Sequence, residues 1–175
     1  MKKQLLLSAA LSAAMLAFTV GAQEPMHTAR ATFVNSEGSE IGVATLTETP
    51  QGVLIEYALN NVPEGEHGFH IHETGACEGA DFKSAGGHYN PRGHEHGYKT
   101  EKGIHAGDMP NQFAGKDGTL RGHLLNANVS LGDSEGALFD DDGSAIVVHS
   151  GADDYSSQPS GDAGDRIACA VIEKS

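Results

Sequence analysis

The chain has 175 residues, 23 of them glycine, and carries 24 acidic against 11 basic side chains for a net charge of −13 at neutral pH. That balance repels phosphate backbones and anionic lipid, which excludes nucleic acid or an acidic membrane surface as the main partner. The length suits one domain, and no apolar run past Val20 is long enough to cross a bilayer.

Lys2 and Lys3 precede a run of apolar and small residues from Leu5 to Val20, and Val20-Gly21-Ala22 offers a small-x-small cleavage site. The pattern predicts a signal peptide over residues 1–22, cut after Ala22, and a mature periplasmic or secreted domain over residues 23–175. The run is short and rich in Ala and Ser for a membrane span, so no membrane insertion is expected. With Lys2 and Lys3 removed the remainder is more acidic still, which keeps an exported protein soluble.

Short strands separated by turn residues follow. "ATFV" precedes "NSEG", "EIGVATLT" precedes "TPQG", and in "GVLIEYAL" the residues Val53, Ile55, Tyr57 and Leu59 share one face. Later come "GTLRGHLL", "SAIVVH" and "RIACAVI", punctuated by "GDSEG" and "DDDG". Such spacing without a helical period predicts an all-β antiparallel sandwich or barrel. The stretch from Glu73 to Gly118 breaks the pattern, because it lacks periodicity yet is rich in His, Gly and Asp. A loop so long is uncommon in a compact domain unless it is functional or disordered, and metal plus disulfide is the expected means of ordering it.

Cys77 and Cys169 are the only cysteines, so one intrachain pairing exists. An oxidising compartment favours a disulfide, with two buried free thiols as the alternative.

The histidines carry the chemistry. In "GFHIH" a strand directs Phe69 and Ile71 to one face and His70 and His72 to the other, which leaves two imidazoles close together outside the core. In "SAIVVH" Ile146 and Val148 share a face, while His149 falls on the other with Ala145 and Val147. The long loop adds His88, His96, His105 and Asp108, with His94 as a competitor for the place of His96. Imidazoles with one carboxylate suit zinc, and sites of imidazole alone suit copper as well as zinc. The donors suffice for two adjacent metals.

"GFHIH", "GGHYNP", "HAGD", "VVH" and "GDAGDRIAC" stand in an order and spacing that resembles the copper,zinc superoxide dismutases, especially the exported bacterial ones. The resemblance implies an eight-stranded Greek-key β-barrel or sandwich with a long loop ordered by metal and disulfide. It implies one copper per subunit on His70, His72, His88 and His149, and one zinc per subunit on His88, His96, His105 and Asp108. His88 is then shared, and takes up a proton during turnover. Arg166 matches the arginine that attracts the anionic substrate, Asp153 the carboxylate linking His70 to His96, and Cys77–Cys169 the family disulfide. His67 belongs to the same motif without being a ligand, its partner expected to be backbone, and His27 and His123 read as surface or turn residues.

The implied function is conversion of superoxide to dioxygen and hydrogen peroxide, protecting the cell envelope. The alternative is a non-catalytic periplasmic copper buffer or carrier on the same fold, which needs neither a bridging histidine nor Arg166. A zinc-stabilised interaction domain would leave His70, His72 and His149 without a role. Monomer and homodimer both stay open. One departure from the eukaryotic pattern stands out: the segment between His149 and Arg166 lacks a lysine-bearing guide, and Asp162 and Asp165 flank Arg166. Lys83, Arg92, Lys99, Lys102 and Lys116 lie in the long loop, and Lys99 and Lys102 are the expected replacements for that guide.

Overall fold

The computed structural model describes residues 27–175, so the predicted leader lies outside the described residues. The strands are β1 (Thr28–Asn35), β2 (Glu40–Thr49), β3 (Gly52–Leu59), β4 (Gly65–His67), β5 (Phe69–His72), β6 (Gln112–Ala114), β7 (Leu120–Asn126), β8 (Ala145–His149) and β9 (Arg166–Lys174). Among the described residues the only helix is a single 3₁₀ turn, Lys83–Ala85. The fold is all-β, as the turn spacing predicts.

Seven strands form one antiparallel sheet in the order β5-β8-β9-β1-β2-β3-β7, and β4 pairs with β6 in a second. Only Gly68 separates β4 from β5, so one continuous segment passes from one sheet to the other. Counting that segment once gives the eight expected strands. Because β6 lies beside β7, the curled sheet approaches its own start through β4. β9 sits between β8 and β1, and β7 beside β3, so connections cross over the ends in Greek-key fashion.

The core follows the pleat. Val53, Ile55, Tyr57 and Leu59 are all buried, and Ala29, Ala31 and Phe33 of β1 join them. β8 is buried on both sides: Ile146 and Val148 enter the main core, while Ala145 and Val147 enter a smaller cluster with Phe82, Ala85 and Cys169. The same two-sidedness corrects the expectation for β5. His70 and His72 do face away from Phe69 and Ile71, but that face is not at the surface, because the long loop covers it and all four residues are buried.

Metal and disulfide are not the only means of ordering that loop. Phe82 and Ala85 anchor it in the smaller cluster, and Tyr89, Ala106 and Met109 enter the main core. Its backbone completes the exposed edge of β5: Ile71 N–H donates to Gly107 O (2.9 Å), and Tyr89 N–H donates to Ile71 O (2.8 Å). A side chain at Gly107 would start 2.1 Å from the Ile71 carbonyl oxygen, so only glycine permits this approach. Cys77 and Cys169 are bridged across 92 positions, which chain-entropy reasoning values at about 4–5 kcal/mol. Sparse apolar residues escape a periodicity search, which is why they are silent in the sequence.

Phe82→Ala should lower the stability of the metal-free, oxidised protein by about 3 kcal/mol in urea unfolding. A loss below about 1 kcal/mol, small for any emptied core site, would mean that the disulfide alone anchors this segment.

Candidate metal centre

β5 and β8 pair antiparallel, with His70 opposite Val147 and His72 opposite Ala145, and His149 N–H donates to Gly68 O at 2.8 Å. His88 is brought to the same place by an isolated bridge to His72. Ring centroids of His70 and His88 are 4.1 Å apart, and those of His72 and His149 5.6 Å. One nitrogen of each ring is already engaged elsewhere. His70 Nε2 lies 2.9 Å from Asp153 Oδ2, and His72 Nδ1 donates to Gly86 O at 3.0 Å. His149 Nδ1 lies 3.3 Å from Gly164 O, and His88 Nδ1 lies 2.8 Å from Asp108 Oδ1.

The remaining nitrogens converge. One donor atom from each of His70, His72, His88 and His149 falls within a group spanning no more than 4.8 Å. His70 Nδ1 and His88 Nε2 are buried without any hydrogen-bond partner, and His72 Nε2 and His149 Nε2 face each other at 3.4 Å. Buried polar atoms left unpaired are costly, and several of them aimed at one point fit a cation better than any protein partner.

A second group forms around Asp108. Its Oδ1 lies 2.8, 3.0 and 3.4 Å from Nδ1 of His88, His96 and His105, respectively. The backbone N–H groups of Gly97 and His105 donate to Oδ2 at 2.9 and 3.1 Å. Burial would raise this carboxyl, but the three imidazoles and the Gly97 N–H outweigh it and hold it far below the usual carboxylate range. Three imidazoles and one carboxylate are a zinc-type donor set, whereas four imidazoles suit copper or zinc. His88 belongs to both groups, one ring nitrogen to each.

Asp153 ties the groups together from behind. Its Oδ2 meets His70 Nε2, and its Oδ1 lies 3.0 Å from His96 Nε2. Gly161, at φ +71°, presses so close that a Cβ there would fall 1.8 Å from Asp153 Oδ1 and 2.6 Å from His96 Nε2. Gln158 brackets the His96 backbone, accepting from its N–H and donating to its carbonyl, both at 2.9 Å. Gly161 opens the "GDAGDRIAC" motif and Gln158 lies just ahead of it, but neither is assigned a role from sequence.

Arg166 does not pair with Asp162 or Asp165. Its Nη1 and Nη2 donate to the carbonyls of Phe82 and Gly86, each at 2.6 Å. Gly86 O therefore accepts from both Arg166 and His72, which links the guanidinium to one imidazole of the first group. Arg166 lines a cavity of about 510 Å³ with Ala80, Asp81, Lys83, Gly164 and Asp165. Lys99 and Lys102, the expected guides, are elsewhere: Lys99 Nζ donates to Asp154 O at 2.9 Å, and Lys102 pairs with Glu95 at 2.6 Å. Lys83 is the loop lysine that lines the cavity.

The other histidines fall as expected. His67 is buried between two carbonyls, with Nδ1 2.7 Å from His149 O and Nε2 2.7 Å from Pro63 O. His94 stands outside the second group, its Nδ1 3.1 Å from Ile104 O. His123 is exposed beside Glu56, and His27 is exposed just ahead of β1.

Burial and neighbouring imidazoles push His88 down to about 4 and His149 down to about 3. Burial also acts on His96, but its hydrogen bonds to Asp108 and Asp153 prevail and raise it to about 9. In metal-free protein the unfolded chain takes up protons near pH 6.5 at His88 and His149, while the fold holds these rings neutral. Their contribution is present above pH 6.5 and lost as pH falls toward about 4 and about 3. His96 has the opposite sign, contributing below pH 6.5 and losing that contribution as pH rises through about 9. Denaturant unfolding of metal-free protein across this range should show stability declining toward both ends; a flat profile would contradict the assignment.

The family model described as copper/zinc superoxide dismutase (SODC) matches residues 40–172. Copper–zinc superoxide dismutase 2 of Aquifex aeolicus (strain VF5) is 45% identical over 95% of this chain and 98% of its own. The copper–zinc superoxide dismutase of Caulobacter vibrioides is 43% identical over 78% of this chain and 80% of its own. Among solved structures, a SOD-like protein from Bacillus subtilis superposes with a TM-score of 0.78 at 40% identity, covering 81% of this chain and 95% of that one. The curled antiparallel sheet, the two joined donor groups and these matches agree, and the chain belongs to the copper/zinc superoxide dismutase family.

Proposed function

We propose that the protein is a superoxide dismutase of the cell envelope, turning two superoxide ions and two protons into one dioxygen and one hydrogen peroxide. The observation that carries this reading is a pair of buried donor groups joined through His88. In it, copper would be held by His70, His72, His88 and His149. Zinc would be held by His88, His96, His105 and Asp108. The donors fit, because in His70, His72, His96 and His149 they are the ring atoms left over once each has met Asp153, Gly86 or Gly164, and Nε2 of His88 and Nδ1 of His105 are buried without a hydrogen-bond partner. Bound copper supplies the one-electron redox change and bound zinc, which has none, a fixed charge beside His88.

The chain's own residues do the rest. Arg166 spends two N–H groups on Phe82 and Gly86, and its other donors remain for a small anion in the cavity. Lys83 adds positive charge on the same wall. His88 can hold a proton at Nε2 while its Nδ1 stays on the Asp108 side. Asp153 fixes the tautomer and orientation of His70 and His96 through their Nε2 atoms. The disulfide keeps the Phe82 and Gly86 carbonyls under Arg166.

The leader over residues 1–22 and the disulfide support export to the periplasm or beyond, with residues 23–175 as the working domain, monomer or homodimer. Among the described residues no helix is long and apolar enough to cross a membrane.

Metal analysis of the purified protein combined with a superoxide-consumption assay tests the reading. One copper and one zinc per subunit with fast turnover is the expected result, and metal uptake without turnover would overturn it in favour of a copper buffer. Lys83→Gln should lower the rate about threefold at low salt and flatten its ionic-strength dependence. Lys102→Gln, which lies outside that cavity, should leave both unchanged. Equal effects from the two variants would remove the cavity from the path of the substrate.

A further inference from the structure

Asp153 has to be held as firmly as it holds others. Its carboxylate meets His70 and His96 and accepts the Tyr155 N–H at 2.6 Å, but none of these bonds fixes the peptide that carries it. That task falls to Asn111. Its Oδ1 accepts the Asp153 N–H at 2.8 Å and its Nδ2 donates to the Asp153 carbonyl at 2.9 Å, so one side-chain amide grips the residue on both sides. Only one orientation of the amide satisfies both bonds. The backbone N–H of Asn111 in turn donates to Tyr155 Oη at 2.8 Å.

Two features mark the arrangement as more than local packing. Tyr155 sits at φ 66°, a left-handed conformation that a bulky residue adopts only when its surroundings impose it. Those surroundings are the clamp itself: its N–H goes to Asp153, its Oη to Asn111, and its carbonyl accepts the Lys99 N–H at 3.0 Å. Asn111 also follows Asp108 by three residues, with buried Met109 between them. A short, core-anchored segment thus carries one donor of the second group and the grip on Asp153.

We propose that Asn111 is a positioning residue that sets Asp153, and through it orients His70 and His96 together, with Tyr155 as its brace. The proposal rests on the metal assignment above. Removing the amide frees the Asp153 peptide, loosens both imidazoles at once and couples any disturbance of one group to the other.

The test uses the full mature protein. Zinc affinity is measured by chelator competition on copper-free protein, and the electron paramagnetic resonance spectrum is recorded for the Cu(II) form. Asn111→Ala should weaken zinc binding about tenfold, the low end for partners of metal ligands, and shift the copper spectrum. Tyr155→Phe, which keeps the ring and loses only the acceptor, should move both readouts the same way by less. Because Asn111 acts through Asp153, the double variant Asn111→Ala, Asp153→Asn should bind zinc no more weakly than Asp153→Asn alone. Unchanged affinity and spectrum in Asn111→Ala, or losses that add in the double variant, would overturn the clamp while leaving the metal assignment standing. Wild-type protein that takes up neither metal would sink both.

Discussion

His88 has one ring nitrogen 2.8 Å from Asp108 and the other buried without a partner among His70, His72 and His149. A ring committed on both sides can be reached by neither a strand of the sheet nor a free loop. The strand would show only one nitrogen to the site, and the free loop could not hold the ring within the few tenths of an ångström that two donor groups require. The chain meets this demand by folding the segment after β5 back onto β5 itself. The Ile71, Tyr89 and Gly107 backbones pair there, and His88 bridges to His72. Burial of the histidines, the glycine at position 107 and the disulfide all follow from that return.

The sheet was readable because its signal is periodic. Alternation in "GVLIEYAL" and "SAIVVH" assigned the core faces, and His149 lies with His70 and His72, apart from the main core that Ile146 and Val148 enter. The donors were readable for a different reason: six histidines in ordered motifs, with Asp108 beside the last of the loop, stand out against the chain. What escaped was everything whose job is expressed through the backbone. Gly86 acts by a carbonyl, Gly161 by the absence of a side chain, Asn111 and Gln158 by gripping peptide groups distant in sequence. Gly86 and Gly161 stand in the "GGHYNP" and "GDAGDRIAC" motifs, yet nothing in the residue types of these four tells which backbone group each serves. Phe82 was silent likewise, since one apolar residue among polar ones has no period.

Electrostatics shows the same contrast between local and global. A chain at −13 would repel an anion, yet the charges that count are those facing the cavity. The Arg166 guanidinium donates to carbonyls and pairs with neither Asp162 nor Asp165, although Asp81 and Asp165 line the same cavity. The acids that flank it in sequence make no ion pair with it, because the side chain reaches from β9 across to the loop. The loop lysines sort themselves in the same way, by where the fold puts them and by which acids they already meet. Lys83 has Asp81 at 2.8 Å, but both are exposed, where such a pair is weak and well screened.

The two donor groups are built from unequal materials. His70, His72 and His149 ride on β5 and β8, whose pairing and core contacts hold them whether or not an ion is present. His96, His105 and Asp108 come only from the loop, where their mutual bonds replace a ladder. With the metals assigned as proposed, zinc binding is therefore coupled to ordering of the loop, and His88 and Asp153 carry that order to the copper side. A metal without redox chemistry then acts on the redox site by fixing where its ligands stand. The Gly86 carbonyl extends the chain of dependence to Arg166, so the anion-facing group and the imidazole beside it keep their relative positions from a single shared acceptor.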